Sequence, residues 1–211
     1  MVYGKTTASG WQDAKKIIKI SNKGTRSMEF ITTKQWDEDL WQKTRDIYNV
    51  AFGEHATKPE KIIRNMFARG LSSLHVLKEN DEVFAMALTG SIPSSSVLLL
   101  DYLAVRKDLR GHGIGKEICD YIIEWARSEP QFKRILVEVE CDETSENQAR
   151  IHFWEKCGFH LLDDYKHCYK WGPQHYMAMV LYLKSKPATP LKGEDCLKYM
   201  ATFHKESYKL D

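Results

Sequence analysis

The sequence predicts an α/β or α+β fold on a mixed sheet. Stretches with strand alternation and stretches with helical spacing interleave through the middle of the chain. Glycine and proline punctuate the joins between them. The length of 211 residues, 43% hydrophobic and 28% charged, suits one domain with additions, or a crowded pair, and suffices to bury a real core.

Residues 1–26, rich in Lys with Gly, Ser and Thr between, read as a loosely attached arm, within which Lys16–Ile20 could form an edge strand. Met28–Thr33 reads as a strand. Trp36–Val50 carries Trp36, Leu40, Ile47 and Val50 at helical spacing, with the acidic Asp37, Glu38 and Asp39 in a first turn that the helix dipole favours. Pro59 opens a short second helix with Ile62, Ile63, Met66 and Phe67, and Gly70 ends it. Strands follow at Ser73–Leu77, Val83–Ser91 and Val97–Val105. A glycine-rich turn at Arg110–Gly115 enters a helix striped by Ile114, Ile118, Ile122 and Trp125, which Pro130 stops. Ile135–Glu140 is a strand with Val137 and Val139 on one face and Glu138 and Glu140 on the other. Ser145-x-x-Gln148 reads as a capping box for a helix carrying Ala149, Phe153 and Cys157, with Gly158 as its stop. Phe159–Leu162 and His175–Leu183 are the last strands, and residues 193–208 read as a C-terminal helix or tail. The division expected is an arm at 1–26, a main domain at 27–183 and a C-terminal helix or tail at 184–211.

Composition narrows the function. A formal net charge of +2 gives no electrostatic case for nucleic acid. No apolar run approaches the roughly 20 residues that span a bilayer, and no signal peptide is expected from the N-terminal residues. Cys119, Cys141, Cys157, Cys168 and Cys196 are odd in number and scattered, which suggests free thiols in a reducing, cytoplasmic compartment. His152, Cys157, His160, His167 and Cys168 cluster locally but lack ligand spacing, so no metal is expected.

The strongest signal is the strand–turn–helix from Leu103 through Lys116. N–H groups in the first turn of a helix have no internal partners and favour an anion, and glycines let that anion approach the backbone. Arg110 and Lys116 add positive charge, so the turn suits a phosphate or pyrophosphate. A P-loop fails, because Arg110 stands where its first Gly belongs and Glu117 where Ser or Thr belongs. A dinucleotide fingerprint fails because its third Gly would fall at Lys116. What remains is [R/Q]-x-x-G-x-[G/A], met by Arg110, Gly113 and Gly115.

That hexad resembles the coenzyme A pyrophosphate loop of the GNAT family of N-acetyltransferases. Asn147-Gln148-Ala149-Arg150-Ile151-His152-Phe153-Trp154-Glu155-Lys156-Cys157-Gly158-Phe159 is similar to the family's second signature, with Arg150 at a usual Ala and Trp154 at a usual Tyr. The resemblance covers about Met28 to Leu183. It implies a mixed, mostly antiparallel central sheet flanked by helices, with middle strands that splay around the thioester. It further implies an acyl-CoA-dependent N-acyltransferase, with acetyl-CoA as cosubstrate, that passes its acetyl group to an amine by direct attack. Leu103, Ala104 and Val105 would pair with the pantetheine arm. Arg110, Gly111, His112, Gly113, Ile114, Gly115 and Lys116 would hold the pyrophosphate, and Asn147 would contact the coenzyme near its thiol end.

Direct attack needs a base for the amine, a donor for the oxyanion and a proton for the thiolate. Glu138 is the candidate base, with Glu140 as alternate. Trp154 cannot protonate a thiolate, so the proton comes from water or from one of Tyr165, His167, Cys168 and Tyr169 in the following loop, with Tyr165 favoured. Glu138, Glu140, Asp142 and Glu143 form an acidic run suited to a cationic acceptor such as a polyamine, an aminoglycoside or a peptide N-terminus. A small amine or peptide N-terminal amine is therefore the expected partner, with the chain a monomer or homodimer. The Tyr169–Tyr176 segment would line the acceptor pocket or close a hairpin. Loss of the helix tyrosine leaves one alternative on the same fold, a non-catalytic acyl-CoA-binding or regulatory module.

Overall fold

A computed structural model describes residues 15–21, 27–92, 95–169, 174–186, 188 and 191–209. Among these, eight strands form one sheet in the order β1-β2-β3-β4-β5-β6-β8-β7. The strands are β1 (Lys15–Ser21), β2 (Ser27–Thr33), β3 (Ser72–Glu79), β4 (Glu82–Gly90), β5 (Val97–Val105), β6 (Arg134–Glu140), β7 (His160–Cys168) and β8 (His175–Tyr182). The helices are α1 (Glu38–Ala56), α2 (Glu60–Ala68), α3 (Ile114–Ser128), α4 (Ser145–Lys156) and α5 (Gly193–Ser207). Every described pairing is antiparallel except that of β5 with β6. The expected mixed, mostly antiparallel sheet flanked by helices is therefore what the chain forms.

One face of the sheet packs on α3 and α4 through Leu98, Leu100, Ile135 and Val137, which meet Ile118, Ile122 and Ile151. The other face packs on α1, α2 and α5. There Leu74, Val76 and Leu88 meet Trp41, Tyr48 and Phe67, while Leu99, Leu136 and Val180 meet Met66, Leu197, Met200 and Phe203. The two-residue period of each strand sends its neighbours to opposite layers, so Leu136 and Val137 serve different cores.

Several boundaries differ from the sequence reading. The first helix starts at Glu38, because the Asp37 side chain caps it by accepting from the Leu40 N–H at 3.0 Å. It continues to Ala56 across a break at Gly53, whose φ of 65° is outside helical space. The cap of α4 is Thr144, one residue before the expected Ser145 box, with its Oγ1 accepting from the Asn147 N–H at 3.1 Å. Strand β7 runs on to Cys168, so Tyr165, His167 and Cys168 lie on a strand where a loop was expected. His167 and Cys168 pair with Tyr176 and His175 of β8, while Tyr165 lies in the register break between Leu162 and His167. Residues 170–173 of the aromatic segment, with 1–14 and 22–26 of the arm, lie outside the described residues.

Two internal features fix the layers. His75, fully buried, joins its Nδ1 to Thr32 Oγ1 and its Nε2 to Thr89 Oγ1, each at 2.8 Å, and Thr32 Oγ1 also meets Tyr121 Oη at 3.0 Å. Burial lowers the His75 pKa to about 3, so the ring is neutral and its polar atoms are satisfied. Next to Thr89, at the end of β4, the Phe203 ring of α5 lies directly on Gly90. A Cβ added to Gly90 would come within 2.1 Å of the ring. No relaxation of one side chain absorbs that overlap, because Phe203 is itself fully buried. Gly90→Ala is therefore expected to lower stability by about 1–3 kcal/mol and to loosen α5 selectively. Thermal melting with amide exchange along residues 193–207 measures both; an unchanged melt with unchanged exchange in α5 would refute the contact.

Candidate active site

The parallel pair β5–β6 opens after three residues. Val97, Leu98 and Leu99 pair with Arg134, Ile135 and Leu136, and the register stops there. Strand β5 stays on β4 as far as Val105, and β6 stays on β8 as far as Glu140. The strands diverge because each follows its outer neighbour. The backbone of Leu103, Ala104 and Val105 thus borders a wedge, while Leu103 and Val105 also pack on the α3/α4 core. Such an edge offers unpaired N–H and C=O groups to an extended ligand.

A bulge lies at the mouth of the wedge. Tyr102 pairs with Leu88 and Leu100 with Thr89, leaving Asp101 as the extra residue in β5. Bulges re-aim side chains, and here the Asp101 carboxylate meets groups arriving from the α1–α2 connection and from α5.

Beyond β5 comes one 3-10 turn at Lys107–Leu109, followed by Arg110, Gly111, His112 and Gly113. Gly111 and Gly113 have φ of 82° and 86°, left-handed conformations that side chains rarely adopt. Among the described residues, none of the N–H groups of Gly111, His112, Gly113, Ile114 and Gly115 donates to the protein. A run of unpartnered N–H groups at the start of a 15-residue helix is a cradle for an anion. A Cβ at Gly115 would approach the Phe153 ring to 3.3 Å and Val105 Cγ2 to 3.5 Å, so its absence lets α3 sit close to α4 and β5. These features fit the diphosphate of coenzyme A.

The expected charges divide. Arg110 donates from Nε to the Val105 carbonyl at 3.1 Å, which leaves its other nitrogens toward solvent beside the cradle. Lys116 turns away to Asp120, at 2.6 Å. His112 is exposed, and its Nδ1 meets the Arg110 carbonyl at 3.0 Å. Asn147 is buried, with Nδ2 donating to the Asp142 carbonyl at 3.1 Å and Oδ1 accepting from Arg150 at 3.2 Å.

Glu138 occupies the splayed part of β6, on the α5 side. Burial pushes its pKa up to about 7, against a partial lowering by the Tyr169 hydroxyl, which donates to Oε1 at 2.8 Å. The phenol of Tyr169 is itself raised by burial and by the Glu138 charge, so it stays protonated. Tyr176 stacks edge-on to Tyr169 with ring centres 5.4 Å apart. Tyr165 sits elsewhere on β7, in the α5 core with Leu162 and Tyr199. It faces His167 with ring centres 6.4 Å apart. Trp154 packs on Phe153 and Phe159 at 4.9 and 5.3 Å.

The acidic run disperses, since Glu140 pairs with Arg150 at 3.4 Å and Asp142 with His175 at 2.8 Å. In its place the fold assembles a group that the sequence reading did not single out. Lys58 bonds Asp101 at 2.6 Å, with both side chains 4% exposed. His204 of α5 lies 3.4 Å from Lys58 Nζ and 4.0 Å from Glu138 Oε2. Lys58, Asp101 and His204 are 43 to 146 residues apart and share no motif, so no local pattern could reveal them. Among the described residues, no group of three or more His, Cys, Asp or Glu could hold a metal ion.

The raised Glu138 pKa has a stability consequence with a definite sign. Between its ordinary value of 4.5 and about 7, the folded protein keeps a proton that the unfolded chain has released. Stability therefore falls as pH rises through that window. Glu138→Gln removes this loss while keeping an acceptor for Tyr169. The variant's melting temperature relative to wild type should climb from pH 5 to pH 8, and a flat difference would contradict the buried carboxyl.

The fold is shared with known acetyltransferases at low identity. An aminoglycoside 6'-N-acetyltransferase complexed with coenzyme A aligns at 14% identity over 74% of this chain and 98% of its own, with a TM-score of 0.59. An acetyltransferase from Salmonella typhimurium with its cofactor acetyl-CoA aligns at 20% identity over 78% and 98%, with a TM-score of 0.56. The ribosomal-protein-S18-alanine N-acetyltransferase from Escherichia coli aligns at 17% identity over 77% and 99%, with a TM-score of 0.53. A search of curated protein sequences finds no match. The family profile described as Acetyltransferase (GNAT) family matches residues 38–159, more than half of the chain and both strands of the wedge. The chain belongs to the GNAT family of acetyltransferases.

Proposed function

We propose that this protein is an N-acetyltransferase in which acetyl-CoA lies in the β5–β6 wedge and an amine attacks its thioester directly, with Glu138 as general base. The observation that carries the reading is the Glu138 carboxylate, largely buried beside the wedge, where desolvation pushes its pKa up to about 7. A base of that strength is about half ionised at neutral pH and is well matched to taking a proton from the attacking amine. Acetyl-CoA supplies the acetyl group as a thioester. Leu103, Ala104 and Val105 bind the pantetheine arm, Arg110 to Lys116 hold the diphosphate, and Asn147 shapes the thiol end. A backbone N–H of the unpaired β5 edge donates to the carbonyl oxygen as it gains charge. The proton for the departing thiolate comes from a phenol. Tyr165 was favoured from the sequence, whereas hydrogen bonding to Glu138 supports Tyr169.

A small amine or peptide N-terminal amine is the acceptor class. The aminoglycoside and ribosomal-protein enzymes among the fold relatives support an amine of either size. Residues 27–183 form the acetyltransferase domain, residues 1–26 an arm and residues 184–211 a C-terminal addition. Five cysteines without a disulfide support a cytoplasmic protein. The assembly is a monomer or homodimer.

Two experiments test this reading. Acetyl-CoA should raise the melting temperature of wild type by mass action. Gly113→Val, which forces a β-branched residue to a φ of 86°, should abolish most of that shift; no shift in wild type at millimolar ligand would end the proposal. Coenzyme A release across an amine panel then tests turnover. Rate should rise with pH through about 7 as Glu138 ionises, and Glu138→Gln should cost ~10²–10⁴-fold near neutrality. Of the tyrosine variants, Tyr169→Phe should slow turnover more than Tyr165→Phe while both retain acetyl-CoA binding; the reverse order would return the acid role to Tyr165.

A further inference from the structure

Resting on the reading of Glu138 as the base, we infer that His204 of the C-terminal helix is a positioning residue for it, locked by Lys58 and Asp101 into the tautomer that presents Nε2–H to the carboxylate. The placement begins with packing. Phe203, the preceding residue, is fully buried against Gly90, which pins this turn of α5 over the mouth of the wedge and leaves His204 26% exposed.

The tautomer follows from donor chemistry. Lys58 bonds Asp101 at 2.6 Å, with both side chains nearly inaccessible, so it is held as an ammonium. An ammonium can only donate. Its contact with His204 Nδ1, at 3.4 Å, therefore makes Nδ1 the acceptor and puts the ring proton on Nε2. Nε2 is the nitrogen that faces Glu138 Oε2, at 4.0 Å, while Tyr169 already holds Oε1. Tyr169 thus donates to one carboxylate oxygen, and the Nε2–H of α5 faces the other from just beyond hydrogen-bond distance. The His204 distance is one that a single bridging water or a small rotamer change spans.

His204 orients the base without replacing it. Burial holds its pKa below the ordinary range, against an upward pull from Asp101 and with a smaller downward push from the Lys58 charge. The ring stays neutral at the pH where Glu138 ionises, and a proton taken by Glu138 is not drawn off into α5. The charged and titratable groups around the pair are Lys58 from the α1–α2 connection, Asp101 from β5, Tyr169 from the end of β7 and Tyr176 from β8. Lys58 and Asp101 lie inside the family-matched segment, which ends at 159, whereas Tyr169, Tyr176 and His204 lie beyond it.

The test reads Glu138 directly and needs no acceptor. The side-chain carboxyl of Glu138 is titrated by carbon-13 NMR in wild type and in His204→Phe, His204→Asn and His204→Gln, with Glu138→Gln assigning the resonance. Phe keeps the ring and loses the donor, Asn is too short to reach Oε2, and Gln returns an N–H near the position of Nε2. The expected result is a Glu138 pKa raised by about half a unit or more in the Phe and Asn variants, because the anion loses a donor, and restored toward wild type in the Gln variant. An unchanged titration in Phe and Asn, or a Gln variant no different from Phe, overturns the inference. If Phe fails to fold, Asn carries the same comparison. Kinetics separates this inference from the reading beneath it. Where wild type releases coenzyme A, Phe and Asn should shift the acidic limb of the rate profile upward and lower kcat several-fold without raising KM for acetyl-CoA. A wild type that binds acetyl-CoA and turns over no amine defeats the role of Glu138 as base, whatever the titration gives.

Discussion

The molecule depends on a mismatch between two neighbouring strands. Strands β5 and β6 run parallel in a sheet that is otherwise antiparallel, and they pair only from Val97 to Leu99 and from Arg134 to Leu136. Beyond that point each is held by a stronger outer partnership, β5 with β4 and β6 with β8. A sheet that opens in its middle exposes backbone groups that elsewhere would be paired, and those groups must be satisfied by something other than the sheet. The wedge is therefore a binding feature of the backbone itself. The side chains around it, Glu138 and Asp101 foremost, adjust its chemistry.

Two sets of contacts hold the wedge from opposite faces. On one, the missing side chain of Gly115 brings α3 close to Phe153 and Val105, which sets the anion cradle of the first turn of α3 at the end of β5. On the other, Gly90 accepts the ring of Phe203, which brings α5 over β6. In each case a glycine in one element receives an aromatic ring from another. The two glycines therefore position functional groups that neither of them carries.

Burial decides the chemistry of the site more than charge counting does. The acidic residues that cluster in sequence at 138–143 part company in space, because Glu140 and Asp142 find partners of their own although Glu138 and Glu140 share one strand face. Glu140 and Asp142 are neutralised near solvent by Arg150 and His175. Glu138, 18% exposed, is the one that desolvation perturbs strongly. Close by, the Lys58–Asp101 pair is buried and tightly bonded. Such a pair is costly to assemble and adds little net stability, which suits a role in fixing the orientation of what lies next to it.

The sequence by itself determined the layers and the cradle. The alternation of Leu136-Val137-Glu138-Val139, the stripe of Ile118, Ile122 and Trp125, and the spacing of Arg110, Gly113 and Gly115 are local patterns, and local backbone geometry reads them directly. The same locality misled at β7, where Asp163 to Cys168 has no apolar alternation, yet the strand resumes its pairing with β8 at His167 and Cys168. It also gave the cap of α4 to Ser145 when Thr144 held it. Tertiary structure alone decided which tyrosine meets Glu138, and that Lys58, Asp101 and His204 converge there from positions up to 146 residues apart. Contacts at that separation follow from how whole helices dock on the sheet. The residues that make them need satisfy only a distance and a hydrogen bond, so they leave no spacing in the chain to be read.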